Sequence, residues 1–321
     1  MLVDQSWHRL SQHGLWQRVM RSASHHGVRG TIPTPYHERQ RRWYSLALAR
    51  DISDSFVEAL QTTQAANSAD HSHAPPLDLE LARRQHDEYV QALRGVVPVL
   101  TLPAVPHHPD GCFVEDTVVA RGRVAVVMRL GHVRRRGEVD SIKAILQTQL
   151  GMNVVDMRDG DEWATCDGGD VLDTGRHLFV GLSGRTNDRG ANVLESVFGH
   201  DVEFVRVPMP EHQVLHLKSA VTHINRTTLL APVGAAGDWI LAAMKATERG
   251  YRIYRLPDVL SCNVVTCNGV VLAQDTTCQI SRQILEEAVS YNSELSLKYI
   301  STSELAKKDA ALTCCSILLD I

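Results

Sequence analysis

From residue 96 onward one order of elements keeps returning: two short β-rich runs, an amphipathic helix and a third β-rich run, at intervals of about 50 residues. The apolar patterning predicts strands over 96–102, 112–120 and 124–128, a helix over 136–150 and a strand over 153–157. Further rounds place strands at 171–173 and 178–182, a helix at 187–198 and a strand at 202–207, then a strand at 227–231, a helix at 238–249 and a strand at 252–256. The last round has strands at 262–266 and 270–273, a helix at 281–291, a strand at 297–300, a short helix at 303–308 and a closing strand at 312–319. Ahead of these, Leu46, Ala49, Ile52, Phe56, Val57 and Leu60 recur at helical spacing and predict a helix over 45–60, followed by a polar loop over 62–76 and a helix over 78–93. A strand-strand-helix-strand unit that repeats in this way points to stacked supersecondary units of an α/β protein rather than one open doubly wound sheet. No residue-level repeat accompanies the repeat of elements.

With 321 residues, 44% of them hydrophobic, the chain can bury a full core, which excludes a disordered tail. A net charge of -4 lacks the basic excess of a nucleic-acid binder, so no nucleic-acid partner is expected. Seven cysteines, an odd number without framework spacing, read as reduced thiols. No run of about 20 apolar residues is available to span a bilayer, and no membrane or secretory role is expected. The first 45 residues stand apart, with Arg9, Arg18, Arg21, Arg29, Arg39, Arg41 and Arg42 against only Asp4 and Glu38. Their composition is similar to a mitochondrial transit peptide; the plainer reading is a basic, flexible extension of a cytoplasmic protein, and both stay open.

Common cofactor signatures are missing: no G-x-G-x-x-G opening a helix, no P-loop, no H-E-x-x-H and no paired C-x-x-C. Cys262 and Cys267 are poorly spaced for a structural metal, and none is expected. Four segments instead place ionisable groups in polar interruptions of apolar runs: 110–117, 166–170, 215–219 and 312–316. Adjacent Glu115 and Asp116 inside an apolar run demand a cation, which an internal arginine or a bound ligand could supply. The run Asp167-Gly168-Gly169-Asp170 reads as a sharp turn into a strand. Taken singly, His216 between two leucines is an ordinary core histidine and Cys314 an inert buried thiol.

Together these segments resemble one family, the dimethylarginine dimethylaminohydrolases of the guanidine-modifying superfamily. The resemblance runs from about residue 45 to 321 and is densest at F-V-E-D-T (113–117), D-G-G-D-V (167–171), F-V-G-L-S-G-R-T-N-D-R-G-A (179–191), L-H-L-K-S (215–219) and L-T-C-C-S (312–316). The stretches A-R-R-Q-H (82–86) and S-E-L (303–305) are similar as well. It implies a five-fold pseudosymmetric α/β-propeller as a single catalytic domain over 46–321, and hydrolysis of an N-methylated arginine to citrulline and an amine without metal or organic cofactor. Carried over by position, it makes Cys314 the nucleophile, His216 the general acid and base, and Asp167 the carboxylate that orients His216. It assigns Glu115 and Asp116 to the substrate guanidinium, Arg135 and Arg185 to its α-carboxylate, and Asp110 and Leu60 to further ligand contacts. Lys308 corresponds to a main-chain carbonyl contact and differs from the family in side chain.

The chemistry asks for such groups independently, since a thiolate must attack a poor electrophile and the amine departs only when protonated. Two departures matter: the N-terminal 45 residues and the loop 62–76 have no counterpart in the resemblance. Arginine deiminases and amidinotransferases of the superfamily carry an acid two residues after the catalytic histidine, where this chain has Lys218. That leaves a deiminase as the second enzymatic reading, and a non-catalytic binding propeller as the reading from another class.

Overall fold

In the computed structural model, residues 43–61, 76–210 and 213–321 are described, within a unit spanning Arg42–Ile321. The basic extension up to residue 42 and most of the loop 62–76 lie outside them. Among the described residues the strands form five three-stranded sheets. In four of them the chain makes one strand, folds back antiparallel into a second, and returns through a helix to a parallel third, because a parallel pair needs a crossover. These are β3 (Val118–Arg121), β4 (Val124–Val127), α2 (Val139–Thr148) and β5 (Asn153–Asp156); then β6 (Val171–Asp173), β7 (His177–Leu182), α3 (Asp188–Phe198) and β8 (Glu203–Pro208). The next two are β9 (Thr222–Asn225), β10 (Thr228–Pro232), α5 (Ala235–Ala243) and β11 (Arg252–Leu256), and β12 (Val264–Cys267), β13 (Val270–Gln274), α6 (Gln279–Ser290) and β14 (Ser296–Ile300).

Both ends of the described chain build the fifth sheet. Strand β1 (Leu46–Arg50) leads through α1 (Leu79–Arg94) to parallel β2 (Val99–Leu102), and its antiparallel partner is β15 (Ile317–Leu319), paired from Leu46 opposite Leu319 to Leu48 opposite Ile317. The middle strand of every sheet is buried on both faces, as at Ala47-Leu48-Ala49, Val126-Val127 and Phe179-Val180. This corrects the helix expected over 45–60. A short apolar run buried on both sides loses its period of two, and its leucines and alanines then mimic helical spacing. Only one 3-10 turn, Asp54–Glu58, follows β1. Strand β9 escapes the sequence pattern because Thr222, His223 and Asn225 interrupt it.

The apolar runs at 112–120 and 312–319 are also corrected. Each begins with a single turn, Val114–Thr117 or Leu312–Cys315, before its strand. The same device precedes the first strand of every other sheet, as Gly168–Asp170, the short helix α4 (Leu217–Ala220) and Leu260–Cys262. These turns pack on one another: the 114–117 turn touches those at 168–170 and 312–315, and α4 touches those at 168–170 and 260–262. The five turns therefore form one continuous chain of contacts, from 260–262 through α4, 168–170 and 114–117 to 312–315. Among the described residues no helix is long and apolar enough to cross a membrane, and all seven cysteines are free.

Candidate active site

The four segments singled out in the sequence sit on or next to four of these turns. Asp116 lies in the 114–117 turn, Asp167 caps the 168–170 turn, His216 caps α4 and Cys314 lies in the 312–315 turn. Glycine makes the close approach possible, since a Cβ on Gly169 would stand 2.7 Å from His216 Nδ1 and 2.8 Å from Asp116 Oδ1. One pocket is lined by Cys314, His216, Asp116, Arg135, Arg185, Asp110, Leu60 and Lys308 together, with Phe113, Leu215 and Ala310 as apolar wall.

His216 Nε2 meets Asp167 Oδ2 at 3.0 Å, and Asp167 Oδ1 accepts from Gly131 N at 2.8 Å, so the carboxylate behind the imidazole is itself held in place. Nδ1 of His216 lies 3.9 Å from Asp116 Oδ1. Burial opposes a charge on His216, yet Asp116, Asp170 and Asp167 outweigh it and raise its pKa to about 9. The half-buried Cys314 is pushed up to about 12 by burial and by the Glu115 and Asp116 carboxylates. At neutral pH the free protein thus pairs a thiol with an imidazolium.

Asp116 resists the upward push of burial, because His216 and Arg135 hold it well below its ordinary range. Arg135 is buried rather than part of a solvated basic face. It donates to Asp116 Oδ2 at 2.6 Å, to Glu138 Oε2 at 2.8 Å and to the Phe113 carbonyl at 3.2 Å. Much of its donor capacity is therefore already used. Arg185, with Nη1 3.8 Å from Asp167 Oδ2, is the less committed cation of the pocket.

Glu115 is placed differently from its neighbour. It pairs with Lys218 Nζ at 2.7 Å and lines a second cavity of about 140 Å³ on the other side of the turn. Lys218 thus neutralises the first acid of the adjacent pair. Burial pushes the Glu115 pKa up, against the pull of Lys218.

Three further residues build the site: Asp170 lies in a segment the sequence singles out but has no role assigned there, and Glu138 and Asn263 lie outside those segments. Asp170 accepts from Leu217 N at 3.0 Å and from the Ser183 and Thr186 hydroxyls at 2.6 and 2.7 Å, anchoring the backbone beside His216. Glu138, three residues beyond Arg135, completes the buried ion pairs; only that spacing hinted at it. Asn263 follows the fifth turn, donates to the Lys218 carbonyl at 2.9 Å and accepts from Thr313 N at 3.1 Å. It joins the histidine and cysteine turns.

Asp116, Asp167 and His216 place ligand-capable atoms within 4.8 Å of one another, the arrangement among the described residues most able to hold a metal ion. Arg135 and Asp167 already occupy these groups, and a cation would have to displace those bonds.

The family model for eukaryotic N,N dimethylarginine dimethylhydrolase matches residues 56–238. The N(G),N(G)-dimethylarginine dimethylaminohydrolase of Streptomyces coelicolor is 30% identical over 279 residues, 85% of this chain and 96% of that protein. The chain belongs to the dimethylarginine dimethylaminohydrolase family. A human relative, DDAH2, is 31% identical over 276 residues, 83% of this chain and 94% of its own length. Among solved structures, the Pseudomonas aeruginosa member of the family, as a cysteine-to-serine variant complexed with citrulline, matches with a TM-score of 0.72 and 25% identity over 86% of this chain and all of that one. The product-bound N-terminal domain of the cyanobacterial arginine dihydrolase ArgZ shares the fold at 18% identity, with a TM-score of 0.70 over 85% of this chain and 97% of that one.

Proposed function

We propose that this protein hydrolyses N-methylated arginine, asymmetric dimethylarginine or monomethylarginine, to citrulline and dimethylamine or methylamine. Its catalytic domain covers 46–321, with the five sheets standing as blades about a pseudo-fivefold axis. One observation carries the reading: Cys314, His216 and Asp116 line one pocket from adjacent turns, with Asp167 bonded behind His216. Membership in the family and the likeness to a citrulline complex support it.

The substrate guanidinium meets Asp116, while Arg185, assisted by what donor capacity Arg135 retains, takes the α-carboxylate. Asp110 and Leu60 border the amino-acid end of the pocket, beside the backbone of Lys308. A guanidinium beside Cys314 offsets the carboxylates that hold its proton, so the thiol releases that proton to solvent on binding. The thiolate adds to the central carbon, His216 gives its proton to the departing amine, and the carbon–nitrogen bond breaks to leave a thiouronium-type adduct. Neutral His216 then takes a proton from water as it adds to the same carbon, and the carbon–sulfur bond breaks to release citrulline. No metal or organic cofactor enters these steps.

Because Lys218 neutralises Glu115, Asp116 is the one acid of the adjacent pair left to face the guanidinium, which suits N-methyl groups that make no hydrogen bonds. That observation favours methylarginine over arginine. The test is citrulline and amine release from asymmetric dimethylarginine, monomethylarginine and arginine by the native chain and by Cys314→Ser. Expected is dimethylamine from the native chain and none from the variant, with an unchanged circular dichroism spectrum. Ammonia from arginine alone would make the protein a deiminase, and no turnover of any would leave a binding protein.

A further inference from the structure

By the resemblance, Lys308 differs from the family in side chain at a position of main-chain contact, and in this structure the side chain has a task of its own. Lys308 Nζ reaches across the pocket rim and donates to the Val57 carbonyl at 2.8 Å and the Ala59 carbonyl at 3.3 Å. The next residue of that strap, Leu60, donates its N–H to Asp110 Oδ1 at 3.0 Å, and Gln61 Nε2 donates to the Lys307 carbonyl at 2.5 Å. A cation thus fixes the strap's carbonyls while an anion fixes its amide, and both charged residues line the pocket together with Leu60. Beyond the short helix α7 (Ser303–Ala306) and its cap Lys307, Asp309 takes the left-handed conformation at φ 53°, and Lys308, Asp309 and Ala310 all line the same pocket. Burial lowers the Lys308 pKa, against the pull of Asp110 and Asp309.

We infer that Lys308 is a positioning residue: its ammonium latches the Val57 and Ala59 carbonyls so that Leu60 and Asp110 form a ready-made edge for the amino-acid end of the substrate. The inference rests on the methylarginine reading. It touches binding rather than bond-breaking, since the latch lies on the strap and not on the turns that carry Cys314 and His216.

Steady-state kinetics of Lys308→Met and Lys308→Arg with asymmetric dimethylarginine test it, alongside amide exchange of the peptide covering 57–61. The methionine variant is expected to raise KM about tenfold with kcat within about threefold, the loss of a charged hydrogen-bond donor acting on binding alone. The arginine variant should recover most of that loss, and exchange of the 57–61 peptide should quicken in the methionine variant only. An unchanged KM, a fall confined to kcat, or an arginine variant no better than methionine would overturn the latch. If the native chain turns over no methylarginine, the functional reading fails by itself and exchange decides: faster exchange on loss of the ammonium supports the latch, and unchanged exchange refutes it.

Discussion

His216 is an imidazole that burial should keep neutral and that three carboxylates keep charged. Its pKa is raised from 6.5 to about 9 on folding, so the stability drawn from these pairs is complete below about pH 6.5 and is lost as pH rises through about 9. In the proposed mechanism the same proton goes to the departing amine. Activity and stability should therefore decline together on the alkaline side: kcat/KM for dimethylarginine is expected to fall above about pH 9, and the melting temperature to drop over the same interval. A melting temperature that holds steady from pH 7 to 10 would show that the carboxylates do not hold the charge. Cys314 lies the other way, its proton retained in the free protein by burial and two acids. Slow alkylation of free Cys314 by iodoacetamide at neutral pH is the corresponding signature.

At the scale of the element, the unit of function is the single turn ahead of each first strand. A turn of three or four residues places its side chains by backbone geometry, and the 168–170 turn has no room for a Cβ at either of its glycines. At Gly168 one would collide with the Glu115 carbonyl, and at Gly169 with His216 and Asp116. Replacing Gly169 by Ala is expected to displace the imidazole and lower kcat by about 100-fold, at a cost in stability of about 1–3 kcal/mol from overpacking. Rate measurements beside urea unfolding check this; an alanine variant with native kcat would show that the turn has slack. The turns were only partly legible. Their acids, histidine and cysteine stood out as polar interruptions, whereas the 114–117 and 312–315 turns read as strand because Val114, Leu312 and their neighbours are as apolar as the strands they precede.

Over the whole molecule, the ends of the described chain meet in one sheet. Ser45 N donates to the Leu319 carbonyl at 2.8 Å, and Ile317 and Leu319 are buried against the core shared with Leu48. Ending the chain after Ser316 would strip β1 of its antiparallel partner, leaving it paired with β2 alone, and expose the face that β15 covers. Removing two buried aliphatic side chains costs about 2–5 kcal/mol each, comparable with the whole net stability of a domain. The shortened chain is expected to melt far below the full one or to fail to fold, by thermal unfolding followed with circular dichroism. A melting temperature within a few degrees of the full chain would mean that the first sheet stands without its C-terminal strand. The 312–315 turn precedes β15 directly, so the same closure that completes the sheet delivers Cys314 to the pocket.

Periodicity and residue type were enough for the repeated α/β units and for most helices to within a few residues, because these depend on local order along the chain, whereas the ten candidate site residues came from the resemblance of several segments to one family. The pairing of β15 with β1 depended on contacts more than 260 residues apart in the chain and left no local trace. Tertiary structure alone also separated Glu115 from Asp116, turning one toward Lys218 and the other into the pocket. It spent much of Arg135 on Asp116 and Glu138 as well. Sequence names the charges a chain must accommodate; which of them neutralise one another is decided by distance and burial, and those exist only once the sheets have come together.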